Sequence, residues 1–140
     1  MNQHTSDYVF ESKAPTVSDY LRLRKAGGLS NFSEDAATLG LVGTIFGVSV
    51  ICRSEVVGMG RVVGDGGCFF QIVDIVVMPG HQGKGLGTRI MTELVDYLNT
   101  QLPSTAFVSL FADPPANKLY ETFGFVETAP NSLGMSLRIG

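Results

Sequence analysis

Cysteine and histidine are each present only twice in this chain, at Cys52 and Cys68 and at His4 and His81. Two well-separated cysteines form neither a disulfide framework nor a close-spaced metal-ligand pattern. No metal is therefore expected, and a reducing cytoplasm is the expected compartment. Charged residues make up 16% of the chain, its formal charge is −3, and no run is rich in Lys and Arg. With no basic stripe to neutralise backbone phosphates, nucleic acid is not an expected partner. No apolar run is long enough for a membrane span, and the N-terminal MNQHTSDYVF lacks the apolar core of a signal peptide, so no membrane partner is expected. Internal repeats and low-complexity segments are also missing. What is present is 140 residues at 44% hydrophobic content, which suits one globular domain over residues 1–140 with a sizeable core and a loose polar start at residues 1–6.

The most specific stretch runs from Ile72 to Leu98. Ile72, Val73, Ile75, Val76 and Val77 form an almost continuous β-branched run, as in a central strand buried on both faces. Pro79 cannot donate to a ladder, so pairing should end near it. Gly80, Gly83, Gly85 and Gly87 then leave the backbone N–H groups bare. From Thr88 the pattern turns helical, with Ile90, Met91, Leu94, Val95 and Leu98 at intervals of three and four. A bare turn entering a helix N-terminus is an anion site, because the first N–H groups have no intrahelical partner and sit at the positive end of the dipole. Lys84 adds a cation. A mononucleotide loop would need Ser or Thr after Gly-Lys, whereas Gly85 is followed by Leu86. A dinucleotide loop would need glycine at position 88 or 90, where Thr88 and Ile90 stand.

The hexamer from Gln82 to Gly87, QGKGLG, resembles the acetyl-CoA signature of the GCN5-related N-acetyltransferases (GNAT), Gln/Arg-x-x-Gly-x-Gly/Ala. A second motif of that family is met in ANKLYETFGF by Tyr120, Gly124 and Phe125. The resemblance implies an α/β acyl-CoA N-acyltransferase fold, with a mixed, mostly antiparallel twisted sheet flanked by helices and central strands that splay to admit the pantetheine arm. It also implies acetyl-CoA as cosubstrate. Main-chain N–H groups around Ile75, Val76 and Val77 would polarise the thioester carbonyl. Gln82, Gly83, Lys84, Gly85, Leu86, Gly87 and Thr88 would bind the pyrophosphate, and Tyr120 would protonate the departing sulfur. Where the family often has Asn seven residues before the tyrosine, this chain has Asp113, so Asn117 becomes the candidate cofactor contact on that side.

Along the rest of the chain, Tyr8 to Phe10 reads as a first strand, and Pro15 opens a helical stretch ending at Gly27-Gly28. Ser33 caps a short helix toward Leu41. Between these helices lies GGLSNF. In the resembled family the corresponding loop walls the acceptor pocket, which makes Leu29, Asn31 and Phe32 substrate candidates. Ile45 to Cys52, Val56 to Val63 and Cys68 to Met78 read as an antiparallel meander with turns at Arg53–Glu55 and Gly64–Gly67. Gly58 and Gly60 inside the second of these strands leave a bulge or a ligand's approach open, with plain twist the expected reading. Ala106 to Phe111 is a short strand and Ala116 to Phe123 a helix stopped by Gly124. Phe125 to Thr128 and Gly134 to Ile139 are closing strands.

Asp74 is the anomaly of the central strand, because a carboxylate within an apolar run needs a partner, a ligand or a water chain. Its surroundings are similar to the acidic strand of glucosamine-phosphate acetyltransferases, with Val73 where a Glu is expected. Two roles stay open for it, a catalytic role on the acceptor amine and a structural one. Gln71 is a further acceptor-side candidate. The expected reaction is direct acetyl transfer from acetyl-CoA to a primary amine of a small molecule: a polyamine, an arylalkylamine, an aminosugar or an amino acid. The alternatives are a protein or peptide N-acetyltransferase and a catalytically silent acyl-CoA sensor. Homodimers are common in the family, so a homodimer is a further expectation.

Overall fold

The structure, a computed structural model, describes residues 7–140. The expectation of a loose start at residues 1–6, and His4 with it, lies outside the described residues. The chain falls into two compact units, Met1–Leu110 and Phe111–Gly140.

In the first unit the strands β1 (Tyr8–Glu11), β2 (Phe46–Cys52), β3 (Glu55–Gly64) and β4 (Phe69–Val77) form the antiparallel meander, and β5 (Phe107–Ser109) adds in parallel to β4. Helices α1 (Val17–Ala26) and α2 (Glu34–Val42) lie between β1 and β2, and α3 (Leu86–Gln101) connects β4 to β5. Local chemistry sets the helix starts. Thr16 Oγ1 accepts the N–H of Asp19 at 3.2 Å and Ser33 Oγ that of Ala36 at 3.0 Å, each satisfying a donor that the first turn would leave orphaned. Helix α3 begins at Leu86, two residues before the expected start at Thr88, because Gly85 takes the left-handed cap position (φ 79°) and leaves Leu86 to be buried as the first helical residue.

The sheet is covered on both faces. One face receives Ile90, Met91 and Leu94 of α3. The other packs Met59 and Val76 against Tyr20 and Leu23 of α1 and Ala37 of α2. Strand alternation does the sorting: Met59 and Arg61 face α1 and α2, and Gly60 between them faces α3. A Cβ on Gly60 would stand 2.7 Å from Ile75 Cδ1 and 2.7 Å from Ile90 Cγ2. Gly60 is thus a close-approach residue, which corrects the expectation of plain twist. It also marks a β-bulge: Met59 pairs with Val76 and Arg61 with Val73, so Gly60 opposes both Asp74 and Ile75. Asp74 absorbs the extra residue at φ 62°, a left-handed conformation rare outside glycine.

The second unit contains α4 (Asn117–Glu121), shorter than the helix expected over 116–123. The closing strands expected at Phe125–Thr128 and Gly134–Ile139 do not form: no strand is present after Ser109. Leu133, Met135, Leu137 and Ile139 are 72–88% exposed.

Candidate active site

β4 and β5 are paired only over Phe69–Gln71 and Phe107–Ser109. Beyond Gln71, β4 runs on to Val77 with no strand beside it on that edge, so the two central strands part where the apolar run leads into the glycine loop. The N–H of Met78 turns back to Val57 O of β3 at 2.8 Å. Because N–H groups alternate along a strand, that of Val77 faces the open edge, that of Val76 faces β3, and that of Ile75 faces the open edge again. Val77 O, on the same side as its N–H, accepts Gln82 Nε2 at 3.0 Å, so the Gln82 side chain ties the loop to the end of β4.

The loop itself consists of one 3-10 turn, Pro79–His81, followed by Gln82 to Gly85. His81 Nδ1 lies 2.9 Å from the hydroxyl of Tyr8, which anchors the turn on β1. Gly83 (φ 78°) and Gly85 (φ 79°) both take the left-handed conformation. The first helical bond is Arg89 N–H to Gly85 O, 3.0 Å. The N–H groups of Leu86, Gly87 and Thr88 therefore have no acceptor within the helix. A Cβ added at Gly83, Gly85 or Gly87 would meet nothing within 4 Å, so the loop backbone faces open space. Lys84 is half-buried and Leu86 fully buried, which pins the helix start from below.

Asp74 sits on the opposite side of β4 in a closed ionic cluster. Its side chain is 4% exposed. Arg24 of α1 donates to Oδ1, and Oδ2 accepts Arg61 Nε at 2.8 Å and the Tyr20 hydroxyl at 2.9 Å. Arg61 Nη1 also reaches Thr44 Oγ1 at 2.7 Å. Burial and the facing carboxylate push the Tyr20 phenol above its ordinary value of 10.0, so Tyr20 keeps its proton and donates. Arg24 continues outward: its Nη2 donates to Ser30 O at 2.8 Å, and its guanidinium lies 4.4 Å from the centroid of the Phe32 ring. One buried arginine thus connects the acidic bulge of β4 to the α1–α2 loop, where Leu29 is half-buried and Asn31 and Phe32 are exposed.

Gln71 is placed elsewhere, at the closed end of the β4–β5 pair, opposite Ser109. There it lines an open pocket of about 300 Å³ with Gly64, Phe70 and Phe107. Asn117 and Tyr120 belong to the second unit, both half-buried on α4. Burial, then the carboxylate of Asp113, pushes the Tyr120 phenol above 10.0. Among the described residues no group of three or more His, Cys, Asp or Glu gathers to hold a metal, and no helix is long and apolar enough to cross a membrane.

Sequence reasoning missed Tyr20, Arg24 and Arg61. The signal was available: Tyr20 and Arg24 share a helical face at i and i+4, and Arg61 is the only charged residue inside β3 after its first position, as Asp74 is in β4. Opposite charges within adjacent apolar strands announce a pair.

The parted β4–β5 pair and the left-handed glycine loop that leads from β4 into the N-terminus of α3 define a mixed α/β fold with an open strand edge beside bare helix N–H groups. A family model described as an acetyltransferase (GNAT) domain matches residues 44–136, and the chain belongs to that family. A probable acetyltransferase of unknown function from methicillin-resistant Staphylococcus aureus is 41% identical and superimposes with a TM-score of 0.89 over 94% of this chain and 99% of its own. The uncharacterized N-acetyltransferase ycf52 of Pyropia yezoensis is 34% identical over 83 residues, 59% of this chain and 47% of that protein. The chain spans about half the length of the curated relatives it matches. Glucosamine-6-phosphate N-acetyltransferase of Arabidopsis thaliana shares the fold, with a TM-score of 0.67 at 17% identity over 94% of this chain and 99% of its own.

Proposed function

We propose that this chain transfers the acetyl group of acetyl-CoA directly to the primary amine of a small molecule. The observation that carries this reading is the geometry at the end of β4: an open strand edge, then two left-handed glycines, then a helix whose first N–H groups face open space. The residues present fit the cosubstrate. The N–H groups of Gly83 to Thr88, with Lys84, would take its pyrophosphate, and Gln82 would hold the loop in register through Val77 O. On the open edge of β4, Ile75 N–H would polarise the thioester carbonyl and stabilise the oxyanion that forms when the amine attacks. Val77 N–H would position the pantetheine arm, and Asn117 would contact it from α4. Tyr120 would then supply a proton to the thiolate as the C–S bond breaks, while the nitrogen that forms the new N–C bond gives its own proton to water. A phenol held above 10.0 is protonated at neutral pH and suited to that donation.

Asp74 is assigned a positioning role. Both its oxygens are engaged by three donors, two of them guanidinium groups, so the carboxylate is occupied in holding α1 and β3 and turns neither oxygen toward the open edge. Through Arg24 it fixes the loop from Leu29 to Phe32, a compact wall that suits a small acceptor. A reducing compartment such as the cytoplasm suits two thiols, Cys52 buried and Cys68 exposed.

The test is thiol release from acetyl-CoA across a panel of polyamines, arylalkylamines, aminosugars and amino acids, with CoA binding measured in parallel by calorimetry. Turnover with one amine class supports the assignment and identifies the acceptor. CoA binding with no thiol release from any amine or peptide favours a silent acyl-CoA sensor, and failure to bind CoA rejects the site.

A further inference from the structure

We infer that β1 clamps the glycine loop at both ends, so that Tyr8 and Phe10 are positioning residues for CoA, acting through His81 and Arg89; this assignment rests on the loop being the CoA site proposed above. A Cβ added at Gly83, Gly85 or Gly87 would meet nothing within 4 Å. These glycines bring no side chain that could pack the backbone in place, and glycine loses more conformational freedom on ordering than any other residue. Gln82 ties the loop to Val77 O and the buried Leu86 seats the start of α3. The flanking residues on either side, His81 and Arg89, are held by β1.

Tyr8 and Phe10 stand two residues apart in one strand, so their side chains leave the same face. The Tyr8 hydroxyl lies 2.9 Å from Nδ1 of His81, 73 residues away in sequence, and the two rings meet edge-to-face with centroids 5.7 Å apart. Tyr8 is 6% exposed, so its ring is already fixed and its hydroxyl is delivered to His81 without further ordering. At the other end, the Arg89 guanidinium lies 4.2 Å from the Phe10 ring centroid. Glu93 Oε2 accepts Arg89 Nε at 3.3 Å, and the Arg89 N–H closes the first turn of α3 on Gly85 O. One strand thus grips the residue before Gln82 and the residue after Thr88, the two limits of the loop.

The clamp is built on an element of low local stability. β1 has four residues and, among the described residues, pairs with β2 alone at the edge of the sheet. Such a strand opens locally more readily than the strands inside the sheet. Opening β1 releases both flanks of the loop together, which couples the strand to the ligand. By linkage, CoA holds β1 closed by the same factor by which a closed β1 raises CoA affinity.

The experiment combines calorimetric titration with CoA and hydrogen exchange of the β1 amides, on the full chain. Tyr8→Phe and His81→Ala should each weaken CoA binding by about 3–10-fold, and Phe10→Leu by about 2–5-fold. His81→Asn keeps an acceptor at the position of Nδ1 and should bind nearly as the parent does. In turnover, KM for acetyl-CoA should rise by the same factors with kcat at saturation unchanged, a split that a loss of folded protein does not produce. CoA should slow exchange of the β1 amides in the parent and leave it unchanged in the Tyr8→Phe/Phe10→Leu double variant. A parent that binds CoA no more than about twofold better than the double variant, or whose β1 exchange ignores bound CoA, would overturn the clamp and leave the loop as the site. Equal losses in His81→Asn and His81→Ala would overturn it as well. A parent that binds no CoA would reject the loop as the site and the clamp with it.

Discussion

Arg61 Nε and Asp74 Oδ2 lie 2.8 Å apart across β3 and β4, inside the sheet layer, with both side chains under a tenth exposed. The pairing explains why the central strand tolerates a carboxylate. Asp74 is the extra residue of the bulge, and without the bulge strand alternation would have turned position 74 or 75 to the other face. The left-handed backbone at Asp74 costs of order 1–3 kcal/mol, and the ionic cluster with Arg61, Arg24 and Tyr20 is what holds it there. That bulge also lies next to Ile75, whose N–H faces the open edge. The α1–α2 loop and the open-edged end of β4 are therefore joined through one carboxylate and Arg24.

Replacing Asp74 with Ala should leave two guanidinium groups buried with no counter-charge. Loss of one partner of a buried pair typically costs about 3–5 kcal/mol, and urea unfolding should show a loss of that size. Arg61→Met should cost less, because Arg24 would still neutralise Asp74. A change below about 1 kcal/mol for Asp74→Ala would mean that water reaches the cluster and that the bulge is held by other contacts.

Gly60→Ala places a methyl 2.7 Å from Ile75 Cδ1 and Ile90 Cγ2 and 3.0 Å from Leu94 Cδ1. Ile75 Cδ1 and Leu94 Cδ1 end flexible side chains, but Ile90 Cγ2 is a branch methyl on a buried helical residue with a fixed χ1, so the alanine variant should lose about 2 kcal/mol, within the range of overpacking costs. The valine variant should lose about 3 kcal/mol. Thermal unfolding of the two variants beside the parent checks both the sign and the order.

The elements that periodicity and capping specify locally were legible in the sequence: Ser33 caps α2, the meander falls near its expected bounds, and QGKGLG joins strand to helix. What depended on partners distant in sequence was not. Gly60 looks like a weak strand residue until α3 is laid over it, and Asp74 looks isolated until Arg24, 50 residues earlier, is brought beside it. The expected closing strands failed for a related reason. Alternation at Gly134–Ile139 reports that one face would be covered in a sheet, but it does not specify the neighbouring strand.

The glycine loop gives a contrast between stability and affinity. Gly85→Ala must hold a side chain at φ 79°, a strain of about 1–2 kcal/mol, and should lower both the melting temperature and CoA affinity. Gly87 lies inside α3 and its Cβ would enter open space. Gly87→Ala should therefore raise fold stability by about 0.5–1 kcal/mol through helix propensity, while weakening CoA binding by filling the space over the helix N-terminus. Calorimetric titration with CoA and a thermal melt on each variant separate the two effects. Unchanged affinity in both would remove the loop from the proposed site.

Tyr120→Phe should lower kcat by about 10²–10⁴-fold, the usual range for loss of a general acid, with CoA affinity retained. The raised phenol also predicts that any alkaline loss of kcat assigned to Tyr120 lies above pH 10 and is missing from the phenylalanine variant. A full-rate Tyr120→Phe enzyme would show that the thiolate takes its proton from elsewhere.

Asp65 sets the β3–β4 turn, and its contribution has a defined pH window. Its Oδ1 accepts the N–H groups of Gly67, Cys68 and Phe69 at 2.8, 2.8 and 3.1 Å, which holds the carboxyl below its ordinary value of 3.8. A carboxyl depressed in the folded state stabilises the fold fully above the unfolded value, and that contribution disappears as pH falls through the folded one. Asp65→Ala should therefore unfold at lower urea than the parent, by a constant margin from pH 5 to 8 and by a shrinking margin below about pH 4. The group is exposed, so the margin measures backbone hydrogen bonds to an ion in water rather than burial. Raised salt should change it little, because the partners are N–H dipoles and not charges. A margin that persists undiminished to pH 2 would show that the turn is held by the glycines around Asp65 and not by its carboxylate.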